Sequence, residues 1–174
     1  QLSQVPIPAF RLNHPFPIIA IVGALRPRLF IADHLMASLT PEELSAAIAH
    51  ECGHLVARDN LKRMLLRICR DMLTIVPCGR ELDQEWMAAS EVAADDFAAR
   101  NGSEEALDLA SALLKIARLI PVGQRPGLPV SVSLIGGDSD SIRHRVIRLA
   151  NHDSGAPTKI ASVRATLVSA SLWL

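Results

Sequence analysis

Apolar residues in this chain recur mostly at helical spacing, in blocks separated by proline, glycine or short polar runs. Residues 1–17 break that rule: Pro6, Pro8, Pro15 and Pro17 predict an extended lead-in. Ile18–Gly23 and Arg28–Ala32 are short apolar runs joined by a small turn, the pattern of a β-hairpin. Thr40-Pro41-Glu42-Glu43 starts a helix. Thr40 is suited to cap, Pro41 to the first helical position and Glu43 to closing a capping box. This helix is expected to run to about Arg58, with a break or bend at Asp59 and Asn60. A second spans Leu61–Val76, where Leu61, Met64, Leu65, Ile68, Met72 and Ile75 form an apolar stripe amid five charges. The stripe reads as a core-facing or a membrane-surface helix. A third covers Leu82–Arg100, and a fourth runs from Ser103-Glu104-Glu105 to about Ile120. Pro121–Val130 is a loop, Ser131–Ile135 a short strand, and Ile142–Asn151 a last helix.

These elements describe one domain over residues 1–174, mainly helical (α+β), with a small hairpin or sheet. Eighteen basic and 18 acidic residues cancel, which argues against nucleic acid as a partner. Cys52, Cys69 and Cys78 are too few and too scattered for a disulfide framework or a C-x-x-C metal site. They read as small buried apolar residues in a reducing compartment. The closing run Ala165–Leu174 is apolar enough to be the start of a membrane helix, or a terminal helix packed on the domain.

The chemistry is concentrated in His50-Glu51-Cys52-Gly53-His54, an H-E-x-x-H pattern deep in the first long helix. Residues i and i+4 share a helical face, so two imidazoles can converge on one ion. Glu51 lies about 100° round the helix, in reach of a water on that ion without being a ligand. Gly53, among Ala46, Ala47 and Ala49, is a place where another element can approach closely.

A hydrolytic zinc needs a third protein ligand. A histidine six residues after the second would stand at position 60, which is Asn60. A later glutamate is the alternative, from Glu81, Glu85 or Glu91. Glu91 is favoured because Asp95, at i+4, is placed to hold a ligand histidine through its other ring nitrogen. The small residues around them suit helices close enough to share an ion. Asp96 is the competing neighbour for that second role.

His50-Glu51-x-x-His54 followed by Glu91-Val92-Ala93-Ala94-Asp95 resembles the pattern of gluzincin integral-membrane peptidases. Among them are the prenyl-protein (CAAX) and heat-shock-type endopeptidases and the beta-lactam-sensor-type peptidases. The lead-in from Gly23 to Ile31, Leu39–Leu44 and His54–Asp59 is similar to the sensor-type group. The resemblance implies a zincin-like domain with an active-site helix, a second ligand-bearing helix, and a small sheet whose edge strand takes substrate. The Ile18–Ile31 hairpin is the candidate for that strand. It also implies membrane helices outside this chain and a catalytic domain facing the cytoplasm. Arg145-Val146-Ile147-Arg148-Leu149 is similar to a late family motif, which makes Arg145 a candidate for oxyanion stabilisation or ligand orientation. The CAAX-type histidine six residues earlier is Ser139 here, so His144 is the stand-in candidate. No tyrosine is available as a donor.

The reading is a zinc-dependent endopeptidase acting on a peptide or protein. One Zn2+ would be held by His50, His54 and Glu91, with Glu51 as general base, Asp95 behind a ligand, and Arg145 and His144 as further catalytic candidates. Two alternatives stand beside it: a catalytically silent signalling or interaction module on the same fold, and a helical bundle with no metal. His14, His34 and His152 read as structural or surface residues.

Overall fold

A computed structural model describes residues 7–72, 79–120, 132–133 and 139–152. The elements run β1 (Ala9–Leu12), β2 (Ile19–Val22), β3 (Arg28–Ala32), α1 (Asp33–Ser38), α2 (Pro41–Ala57), α3 (Asp59–Met72), α4 (Gly79–Ala98), α5 (Ser103–Leu119), β4 (Val132–Ser133) and α6 (Ser139–Ala150). The domain is mainly helical with a small sheet, as the pattern predicts. Among the described residues no helix is long and apolar enough to cross a membrane. The loop Pro121–Val130, Cys78 and the apolar end Ala165–Leu174 lie outside the described residues.

The sheet order is β1-β3-β2-β4. The expected hairpin forms, with β2 antiparallel to β3 and Ile19 opposite Ile31, Ile21 opposite Leu29. Those four residues share one face, and all are buried in one cluster with Leu44, Ala47 and Ile48 of α2. The hairpin is not the edge of the sheet, however. β1 pairs parallel with β3, and β4 pairs with β2 at Ala20 and Ile21. Ala9–Leu12 is a proline-free window inside the proline-rich lead-in, too short for alternation to reveal it. β4 meets β2 across more than a hundred residues, a pairing that no local pattern encodes. Phe10 stacks on Phe30 with ring centroids 5.5 Å apart, which helps to hold β1 in place.

α2 is the spine. Its capping box is complete: Thr40 Oγ1 accepts from the Glu43 amide at 3.2 Å, and the Thr40 amide donates to Glu43 Oε2 at 2.8 Å. Ser111 and Lys115 of α5 also donate to the Glu43 carboxylate, at 2.6 and 2.7 Å, so the cap ties two helices together. Along its length α2 packs on α4, α5 and β2. It ends where Arg58 takes a left-handed conformation, φ 55°. The break therefore falls one residue before the expected one, and Asp59 and Asn60 open α3. The middle of the α3 stripe is not core. Met64, Leu65 and Ile68 are exposed, which corrects the core-facing alternative.

Candidate metal centre

Two helices meet where the close-packed face of α2 crosses α4. A Cβ placed on Gly53 would lie 3.0 Å from Ala94 Cα and 3.2 Å from Phe97 Cβ, so glycine is what permits the approach. One turn before Gly53 stands His50. One turn before Ala94 stands Glu91. The crossing brings His50, His54 and Glu91 together, each offering an atom within 4.8 Å of the others. His50 and His54 are fully buried, while Glu91 is nearly so.

Each imidazole is held from behind. His50 Nδ1 lies 2.9 Å from Asp95 Oδ1, and His54 Nδ1 lies 2.8 Å from Asp59 Oδ2. A carboxylate beside Nδ1 keeps the proton there and leaves Nε2 as a lone-pair donor. The two Nε2 atoms then face each other at 3.1 Å, with Glu91 oxygens 3.5 Å from one and 3.6 Å from the other. Three lone-pair donors this close repel unless a cation lies between them. Zinc–nitrogen bonds of about 2.05 Å in a tetrahedron place neighbouring ligand atoms about 3.3 Å apart. The observed separations bracket that value, so the residues present fit a tetrahedral zinc with one position left for another molecule.

The electrostatics tell the same story without a metal. Burial pushes the His50 imidazole down, but its bonds to Asp95 and Glu91 outweigh that and raise it to about 9. The pocket therefore stabilises a positive charge at His50. Asp95 resists burial through His50 and Arg145, which hold its carboxyl far below the usual range. Glu91 is likewise lowered, against burial, by His50, Arg145 and His54.

Glu51 is fully buried beside this group. Its Oε2 accepts the Ile21 amide of β2 at 3.0 Å. Its Oε1 is buried with no hydrogen-bond partner among the described residues. Burial is the main reason its carboxyl is pushed up to about 8 in the metal-free chain. One buried carboxylate oxygen therefore stands without a polar contact beside the three convergent groups.

Arg145 is buried on α6 and reaches across to α4. Its Nε and Nη2 donate to both Asp95 oxygens at 2.9 and 2.7 Å, and Nη1 lies 2.7 Å from Glu91 Oε2. Of the two uses expected for it, ligand orientation is the one these contacts support. His144, next to it, is exposed and is not brought to the cluster. Glu81 and Glu85 are exposed on α4, away from the group, and Asp96 pairs with Arg148. Arg148 also reaches Asp95 Oδ2 at 3.3 Å.

Asp59 is the residue that sequence reasoning passed over. In the sequence it is a poor helix former after His54 and the end of the His54–Asp59 segment, with nothing to mark it as a partner of that histidine. Its role depends on the left-handed turn at Arg58, which swings it back under the His54 ring. In the sequence Asn60 marks a helix break and stands where a third histidine would. Its amide donates to the carbonyls of Ile21 and Gly23 at 2.8 and 3.3 Å, tying β2 to the α2–α3 corner.

No curated protein matches the chain. Residues 20–93, under half of its length, match the model of peptidase family M48. That stretch holds His50, Glu51, His54 and Glu91 and stops short of Asp95, so the part of the chain that carries the ligand group is similar to a family of zinc metallopeptidases.

Proposed function

We propose that this domain is a zinc-dependent endopeptidase, with the metal held by His50, His54 and Glu91. The observation that carries the reading is the three ligand atoms at tetrahedral spacing beside the unpartnered Oε1 of Glu51. Zinc there supplies Lewis acidity, which polarises a carbonyl and makes water a nucleophile near neutral pH.

The chain's own residues do the rest. The Ile21 amide fixes one oxygen of Glu51 and leaves the other to act on water. Glu51 takes the proton as the water oxygen bonds to the carbonyl carbon. It returns that proton to the amine nitrogen as the C–N bond breaks. Asp95 and Asp59 keep each ligand imidazole in one tautomer and one orientation. Arg145 positions Asp95 and Glu91 at once and balances their charge. His144 has no part in this mechanism. The substrate is a peptide or protein. Placement of the full-length protein in the cell membrane, with this domain on the cytoplasmic side, belongs to the same proposal and rests on the sequence resemblance.

Glu51→Gln tests the reading. It should retain zinc and lose chelator-sensitive cleavage of an unfolded protein substrate by at least about a hundredfold. Cleavage by this variant at the parent rate would refute the assignment.

A further inference from the structure

A cavity of about 340 Å³ opens beside His54, between the β2–β3 turn and the α2–α3 corner. Ile21, Leu25, Pro27, Leu55 and Leu61 make its lining mostly apolar, and among the described residues Arg58 is the one ionised side chain on it. Leu25 is 81% exposed, so the cavity is open to solvent on the turn side. It borders the proposed metal group, because His54 is on its wall and so is Ile21, whose amide holds Glu51. The volume lies at the lower end of sites that take small organic groups, and it accommodates a side chain of leucine or phenylalanine size.

Arg58 is exposed, and no ion pair engages it among the described residues. It occupies a helix cap at φ 55°, a conformation that glycine or asparagine adopts at far lower cost than a long side chain. Its backbone amide caps α2 through the carbonyls of His54 and Leu55, a task any residue but proline performs. The cap therefore does not call for arginine, and Arg58 is an exposed residue on the wall of a mostly apolar cavity.

We infer that this cavity is a substrate subsite: it takes a large apolar side chain next to the scissile bond, and Arg58 pairs with an acidic side chain close to it in the substrate. This rests on the peptidase reading and deepens it. A C-terminal carboxylate is the other source of the same charge, so the test removes it.

The zinc-loaded chain is incubated with a peptide library whose C-termini are all amidated, and cleavage positions are read by mass spectrometry. Leu, Ile, Met or Phe should be enriched at one fixed position beside the cut, with Asp or Glu enriched nearby. Arg58→Asn keeps the left-handed cap and should reduce the preference for Asp over Asn peptides by roughly threefold, the scale of an exposed ion pair. Leu61→Trp, which narrows the cavity, should lower the preference for large apolar residues by about tenfold. Binding is read separately, as fluorescence anisotropy of labelled peptides on the Glu51→Gln protein, where Arg58→Asn should weaken only the acidic peptide. Chelator-sensitive cleavage with no such enrichment, or with enrichment unaltered by Arg58→Asn, overturns the subsite and leaves the peptidase reading standing. No chelator-sensitive cleavage anywhere in the library overturns both.

Discussion

Replacing Gly53 by alanine should destabilise the domain, although the same change in an ordinary helix interior stabilises by about 1 kcal/mol. The sign is set by α4. The added methyl would stand 3.0 Å from Ala94 Cα, 3.2 Å from Phe97 Cβ and 3.3 Å from Ala94 Cβ. The first of these is backbone, which cannot rotate away, so the helices must separate by a few tenths of an ångström. Overpacking of this kind costs about 1–3 kcal/mol, and subtracting the propensity gain leaves a net loss of about 0–2 kcal/mol. At about 2–4 °C per kcal/mol for a domain of this size, the melting temperature should fall by up to about 8 °C. The same displacement moves Glu91, one turn before Ala94, away from ring nitrogens it now faces at 3.5 and 3.6 Å. Zinc affinity should therefore fall with stability. The assay is a pair of thermal melts, with chelator and with zinc, plus a competition titration for the metal. Ser45→Ala, on the exposed face of α2, serves as the control and should gain a few tenths of a kcal/mol. A Gly53→Ala protein more stable than the parent, with unaltered zinc affinity, would refute the close crossing of α2 and α4.

Asp59→Asn should weaken zinc binding by about 10–100-fold in a chelator competition, because the amide cannot hold the His54 proton as a carboxylate does. Asp71→Asn, exposed on α3, should leave it unchanged. In the metal-free chain, these two groups, His50 and Glu51, should make stability decline from about pH 4.5 to 9. His50 is raised from 6.5 to about 9, so its contribution is complete below 6.5 and is lost as pH rises through 9. Glu51, raised from 4.5 to about 8, adds a loss of the same sign that begins above pH 4.5 and is complete by about pH 8. Melts in chelator across that range check this, and saturating zinc should remove or reverse the decline. Glu43 is held below its ordinary value because bonds from Lys115, Ser111 and the Thr40 amide outweigh the upward push of burial. Its contribution is present above about pH 4.5 and is lost as pH falls through the lower folded value. Glu43→Gln should flatten that acid limb, as urea titrations at pH 3–6 would reveal.

The parts of the site that lie on one helix were legible in the sequence. Spacing alone put His50 and His54 on one face, and Thr40 through Glu43 announced the helix that carries them. Glu91 and Asp95 were legible for the same reason, since i and i+4 on α4 must face together. What could not be read depends on how elements meet. Asp59 serves His54 only because Arg58 reverses the backbone, and no propensity predicts a left-handed arginine. The Ile21 amide that orients Glu51 carries no side-chain signature at all. The sheet edge was misassigned because β1 and β4 are short and join the hairpin by pairings outside its own pattern. Arg145 was flagged by resemblance, while its grip on Asp95 and Glu91 required α6 to be laid against α4.

The central claim is that His50, His54 and Glu91 form a zinc site, and elemental analysis tests it most directly. The chain is stripped with chelator, reloaded with zinc, freed of excess metal and measured alongside Glu91→Ala. The account predicts about one zinc per chain for the parent and a small fraction of that for the variant. A parent that holds no zinc, or a variant that holds as much as the parent, would contradict it.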